Sequence, residues 1–304
     1  MQTSIMVSVF TVQVQDNRGE SPQAQPDISS ISGRSLTDNG ERERERKRVK
    51  RRREQRKMDI MGHDTRRRKK VFATIKSVGP KLLPFLNAFC IYFVLWLPVS
   101  HPSWFGALIK CLPVLCLGFF VLAHSIGLGV FHSYSRKILI GLLFSALGDV
   151  FLTWGDQGFF IYGMLMFGIT HVLYTWAFGL RPFRLWMALS LLVLGTAFYA
   201  AVYSYLRGPM VYAMAGYVLV LGTMSWRAMA RASCSNYDWS WGRGCTVAGA
   251  VVFIVSDFIL AIDRFCFPVP HARAFVMSTY YMAQMLICLS IIDHSDRDRL
   301  WKRS

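Results

Sequence analysis

From Leu82 onward the chain runs as eight apolar stretches of roughly 18 to 24 residues, near 82–99, 104–124, 137–154, 158–179, 184–206, 209–231, 244–265 and 274–293. Short breaks rich in Gly, Pro or charge separate them. Each stretch is long enough to cross a hydrocarbon layer of about 30 Å as a helix. The runs are continuous rather than alternating, and in lipid each spanning segment must satisfy its own backbone hydrogen bonds, so helices are required. The predicted fold is all-α: a polytopic membrane bundle of eight transmembrane helices behind a polar N-terminal segment.

Composition strengthens this reading. The chain has 304 residues, 53% of them hydrophobic. Beyond residue 70 it holds only eight acids, all Asp, and seventeen Lys or Arg, too few charges to cover a water-soluble globule. The formal charge of +17 divides into −2 for residues 1–40, +10 for 41–70 and +9 for the rest. The run from Glu41 to Arg53 and the cluster Arg66 to Lys70 have no interleaved aromatic residues, which argues against nucleic-acid binding and for a solvated tail near anionic headgroups. Residues 1–75 are predicted to be a disordered, cytosolic basic tail, 76–294 the membrane domain and 295–304 a cytosolic C-terminal tail. Residues 1–15 lack the basic and apolar regions of a signal peptide. The seven cysteines show no CxxC or Cys/His metal spacing and read as buried thiols.

With the basic tail inside, eleven bases fall on the cytosolic side and three (Arg207, Arg264, Arg273) on the other. That bias and the even span count predict both termini in the cytosol. Trp96, Trp104, Trp154, Trp186 and Trp241 lie near span ends, as an interfacial aromatic belt requires.

The ionisable groups at depth are Lys110, Asp149, His171 and Asp257. A mid-span Asp costs about 2.5–3.5 kcal/mol on insertion scales, so both carboxyls must face the bundle interior or a wet cavity. At 1.5 Å per residue both sit roughly 18–20 Å from the cytosolic face, in one layer. Around them is a local echo at an offset of 108: Gly141 and Gly249 at −8, Gly148 and Ser256 at −1, Leu152 and Leu260 at +3. A four-plus-four duplication would relate the two Asp-bearing helices by a pseudo-two-fold axis. Plainer readings stand beside these. Lys110 reads as a snorkelling anchor, His171 as a packing histidine, Asp263 and Arg264 as a surface pair. Ser145 has no nucleophile elbow and reads as packing or as a hydrogen bond to Asp149.

Four strings carry a family resemblance: Gly141-Leu-Leu-Phe-Ser-Ala-Leu-Gly-Asp149-Val-Phe-Leu152, Phe167-Gly-Ile-Thr-His171-Val-Leu-Tyr174, Gly249-Ala-Val-Val-Phe-Ile-Val-Ser-Asp257-Phe-Ile-Leu-Ala261 and Met277-Ser-Thr-Tyr-Tyr281-Met-Ala-Gln284. In this order they resemble the signatures of the lysoplasmalogenase family of eight-helix membrane proteins. Phe267-Pro-Val-Pro270, Tyr92-Phe-Val-Leu-Trp-Leu-Pro98 and Trp226-Arg-Ala-Met-Ala230 are similar to its vertebrate members. The resemblance covers about Val78 to Ile292; the basic extension has no counterpart in it.

The resemblance implies a hydrolase of the endoplasmic reticulum membrane. It would cleave the vinyl-ether bond of lysoplasmenylethanolamine or lysoplasmenylcholine with water, giving a fatty aldehyde and the glycerophospho-base. That chemistry is acid-catalysed and passes through an oxocarbenium-like cation, so a proton donor and a nearby negative charge suffice, without metal or other cofactor. Asp149 and Asp257 are the candidate catalytic pair, sharing a proton as paired carboxyls do. Either could be the acid; Asp257, read as the deeper, is preferred for it and Asp149 for the carboxylate. Ser145, His171, Tyr174, Ser256, Tyr280, Tyr281, Gln284 and Lys110 are candidates to position substrate or water. The partners are the lysolipid, water and the bilayer, with homo-oligomer formation open. The rival classes are a proton-coupled transporter using the same two aspartates and a membrane scaffold.

Overall fold

The computed structural model describes residues 78–96, 102–127, 132–233 and 241–301, the side chains of 293–301 excepted, and scattered residues between 47 and 65. Cys234 and most of the predicted basic tail lie outside these. The chain divides into two units, Met1–Ala73 and Thr74–Ser304. In the first, the described residues are helical, with Thr65 Oγ1 donating to the carbonyl of Met61 at 2.8 Å. Arg, Lys, Glu, Gln and Met, which make up most of these described residues, are good helix formers.

The described residues of the second unit form eight long helices: α1 Val78–Leu95, α2 Trp104–Gly127, α3 Ser133–Thr153, α4 Phe160–Phe178, α5 Leu185–Tyr203, α6 Pro209–Ala232, α7 Trp241–Ala261 and α8 Ala272–Trp301. A 3-10 turn, Gly155–Gln157, joins α3 to α4, and a π-helical turn, Ile262–Cys266, extends α7 before α8. Among the described residues there is no strand. Seven of the helices are long and apolar enough to cross a membrane. The remaining one, α3, is long enough but carries Arg136, Lys137 and Asp149. It lies between α2 and α4 with Ile138 and Leu142 fully buried. The chain is a multi-pass, all-helical membrane protein.

Several ends differ from the pattern-based expectation. Helix α1 starts and stops four residues early, ending at Leu95, and Trp96 after it has a φ of 33°, which is not helical. The early stop falls just ahead of Pro98 in the sequence, and helices usually end at or before the residue preceding a proline. Helix α8 runs past the predicted boundary at 294 to Trp301. Trp104 and Trp241 open helices, Trp154 follows α3 and Trp186 is the second residue of α5, so these rings do stand at helix ends.

Helix α3 packs along α4 and α7 along α8, with α2 against α3, α6 against α7, and α4 against α6 closing the interior. Helix α5 stands apart: Val202 is its one buried residue. Leu189, Leu192 and Val193 on its outer face are exposed, as lipid-facing residues are. The tight helix pairs depend on glycine. A Cβ at Gly141 would stand 2.4 Å from the Tyr174 ring. One at Gly249 would stand 2.8 Å from Ile287 and 3.0 Å from the backbone oxygen of Ala283, which cannot swing aside. Association in lipid relies on such close backbone approach.

Gly249→Ala is therefore expected to destabilise the bundle by about 1–3 kcal/mol. Gly168→Ala, on the same kind of helix with open space around it, serves as the neutral control. Thermal unfolding of both variants in detergent checks this; equal midpoints would contradict it.

Candidate functional site

Several polar residues of the membrane segment line a cavity of about 670 Å³. Its wall includes both Asp149 and Asp257, together with Lys110, Tyr217 and Tyr280. Ser103, Gly155, Asp156, Asp263 and Arg264 also line it. It thus opens at the end of the bundle where α3 hands over to α4 and α7 to α8. Leu191, Leu194 and Phe198 of α5 and Met214 and Val218 of α6 give it an apolar side.

Asp149, on α3, is 2% exposed. Its Oδ2 accepts a hydrogen bond from the hydroxyl of Tyr280 on α8 at 2.8 Å. Lys110 Nζ, from α2, stands 3.7 Å from Oδ1 and 3.5 Å from the Asp149 carbonyl oxygen. Lys110 is thus a charge partner of the buried carboxyl, not a snorkelling anchor. Tyr281 fixes it from behind by donating to the Lys110 carbonyl at 2.7 Å.

Asp257, on α7, is 15% exposed along its side chain. It is therefore the shallower of the two carboxyls, the reverse of the expectation from its Val and Phe neighbours. Tyr217 on α6 donates to its Oδ2 at 2.6 Å. His171 Nε2 on α4 stands 3.7 Å from the same oxygen and 3.1 Å from the Tyr217 hydroxyl oxygen. His171 is fully buried, and its Nδ1 has no hydrogen-bond partner. Among the described residues no hydrogen bond joins the two carboxyls directly. Each has its own phenol, and an edge-to-face run of rings, His171, Phe253, Tyr280, links the two clusters at centroid distances of 4.7 and 5.7 Å.

The partners follow a crosswise rule. Asp149 is met by a residue 39 positions upstream, Lys110, and Asp257 by one 40 positions upstream, Tyr217. On the other side, His171 lies 22 positions after Asp149 (171 − 149) but approaches Asp257, while Tyr280 lies 23 after Asp257 (280 − 257) but approaches Asp149. At the mouth Asp156 and Arg264, separated by 108 residues, form an ion pair. This exchange of partners between halves is compatible with the expected four-plus-four duplication.

The other predicted site residues lie elsewhere. Tyr174 donates to Gln284 Oε1 at 2.7 Å, Gln284 Nε2 to Ser145 at 2.8 Å, and Ser145 to Thr170 at 3.2 Å, a buried network that does not reach the cavity wall. Ser145 does not bond to Asp149. Ser256 donates to the Val276 carbonyl at 3.0 Å and ties α7 to α8. Asp263 accepts from the Val269 amide at 2.9 Å and is not the partner of Arg264. Tyr217 was missed altogether; nothing in the sequence set it apart from the other tyrosines.

Removing one member of a buried ion pair typically costs about 3–5 kcal/mol, because the other charge is left uncompensated. Lys110→Met should lower stability on that order, and Lys110→Met with Asp149→Asn should recover most of it. Unfolding midpoints of the three proteins test this; a double variant no more stable than Lys110→Met would refute the pairing.

Comparison with known proteins adds independent information. Residues 105–291 match the YhhN family. The chain is 52% identical over 219 residues to "Lysoplasmalogenase TMEM86A" of Bos taurus, covering 72% of this chain and 91% of that protein. Over the same length and shares it is 49% identical to "Lysoplasmalogenase TMEM86A" of Homo sapiens. It is 42% identical over 214 residues to "Lysoplasmalogenase TMEM86B" of Sus scrofa, covering 70% and 87%. No solved structure matches it.

Proposed function

This chain belongs to the YhhN family, and on that premise we propose that it is a lysoplasmalogenase, hydrolysing the vinyl-ether bond of a lysoplasmalogen to a fatty aldehyde and a glycerophospho-base. The single observation that carries the mechanism is that Asp149 and Asp257 line one partly apolar cavity inside the membrane.

The assignment of roles follows from what each carboxyl faces. Asp149 faces the Lys110 cation and takes the anionic role; Asp257 faces Tyr217 and His171 and takes that of the acid. Asp257 delivers its proton to the outer vinyl carbon, and positive charge develops on the inner carbon and the ether oxygen. Asp149 stabilises that cation, as a preorganised charge does in a water-poor site. Water then attacks the inner carbon and gives a proton to Asp149. The hemiacetal collapses as Asp149 protonates the departing glycerol oxygen and the hemiacetal hydroxyl returns a proton to Asp257. Both carboxyls end as they began, with one water consumed. Tyr280 and Tyr217 hold the carboxyls, and His171 steadies Tyr217.

Location in the endoplasmic reticulum, with both termini cytosolic, is part of this proposal. The family resemblance supports the compartment, and the eleven-to-three distribution of bases supports the orientation. The cavity would then open toward the lumen. Nothing favours the proton-coupled transporter.

The test is aldehyde release from lysoplasmenylethanolamine by the purified full chain in the absence of any gradient. Asp149→Asn and Asp257→Asn should each lower kcat by about 10²–10⁴, the usual contribution of a positioned acid or base. In D₂O the aldehyde should carry one deuterium on the carbon next to the carbonyl. Full turnover in both variants, or an aldehyde without that label, would sink the mechanism.

A further inference from the structure

The mouth of the cavity carries an opposed pair of charges that the chemistry above does not use. Arg264 Nη1 pairs with Asp156, and Nη2 donates to the Gly155 carbonyl at 3.3 Å. The guanidinium lies 5.3 Å above the Phe160 ring, so its plane is set by an aromatic floor. The π-helical turn that carries Arg264 interrupts the regular course of α7 and aims the side chain across to the α3–α4 turn; π-turns are common at functional sites. Both groups line the same cavity as the two carboxyls.

Their position along the helices is specific. Asp156 is seven residues past Asp149 and Arg264 seven past Asp257. Seven residues of continuous α-helix would span roughly 10 Å; Asp156 sits on the 3-10 turn and Arg264 on the π-turn that follow the regular helices, at the end of the bundle. In a lysoplasmalogen the phosphorus lies roughly 7 Å from the reacting vinyl carbon at ordinary single-bond lengths. A lipid whose vinyl ether meets Asp149 and Asp257, with its chain along α5 and α6, would carry its headgroup to these two residues.

We propose that the Asp156–Arg264 pair is the headgroup subsite, in which Arg264 takes the phosphodiester of a zwitterionic lysolipid and Asp156 its ammonium group. The inference rests on the lysoplasmalogenase reading for the identity of the lipid. Arginine suits the phosphate because its planar fork donates two parallel hydrogen bonds. The exchange is inexpensive. The side chains are 38% and 69% exposed, and ion pairs in that setting contribute little to stability. The zwitterion replaces one internal pair with two external ones of the same signs. A lipid with no phosphate has nothing to offer Arg264 in return.

Binding of saturated ethers, which cannot be cleaved by vinyl protonation, separates this from catalysis. The probes are 1-O-hexadecylglycerol, its 3-phosphate and its 3-phosphoethanolamine, titrated into the full chain in nanodiscs. Arg264→Gln should weaken the two phosphate-bearing ethers about tenfold, the worth of one strong charge-assisted contact, and leave hexadecylglycerol unchanged. Asp156→Asn should weaken the phosphoethanolamine but not the phosphate. Arg264→Lys, which keeps the charge and loses the fork, should fall between wild type and Arg264→Gln. Equal weakening of all three ligands would make the pair a structural latch and overturn the subsite, as would no weakening of any. Failure to release aldehyde from the vinyl-ether counterpart, with this binding pattern intact, would overturn the reaction and leave the subsite standing.

Discussion

Two carboxyl groups within the hydrocarbon thickness set the terms for the rest of this bundle. Each carries a cost of about 2.5–3.5 kcal/mol on insertion scales, which only polar partners from other helices can offset. Asp149 therefore ties α3 to α2 through Lys110 and to α8 through Tyr280. Asp257 ties α7 to α6 through Tyr217 and stands beside His171 of α4. Six of the eight helices are thereby fixed around one cavity by two side chains. Of the two helices without such a tie, α1 and α5, α5 has a single buried residue. It forms part of the apolar wall, where a lipid chain entering sideways from the bilayer would meet the least resistance.

The crosswise arrangement gives the two carboxyls different surroundings. Positions offset by 107 to 109 residues supply the partners of both carboxyls, but the partners differ in chemistry. Lys110 answers to Tyr217, Tyr280 to His171, and Asp156 to Arg264. Each carboxyl accepts from a phenol, and the second partner differs: Lys110 beside Asp149, His171 beside Asp257. The same asymmetry gives the mouth one positive and one negative side.

Much of this was legible from the residues alone, for definite reasons. Apolar run length reports helix number because lipid permits little else, and an Asp in such a run stands out because the surroundings exclude it. Helix ends were less legible: α1 stopped ahead of Pro98, and the tail of α8 continued as helix through polar residues. Partner identity was the least legible. Lys110 lies close enough to an interface to snorkel, and only its neighbours on α3 and α8 decide otherwise. Tyr217 is one of twelve tyrosines, most of them without such a role. Ser145, Tyr174 and Gln284 belong to family strings yet serve helix packing beneath the cavity. Asp263 and Arg264 looked like a pair because they are adjacent, but consecutive helical residues do not face each other.

The claim at the centre of this account is that Asp149 and Asp257 act as one unit on one substrate. A double-mutant cycle tests it most directly, comparing the turnover of Asp149→Asn with Asp257→Asn in one protein against the two single changes. Groups that serve a single transition state lose function non-additively, so the double variant should be no slower than the worse single variant by more than a small factor. Losses that multiply in full would mean that the carboxyls work independently, and would contradict the shared site.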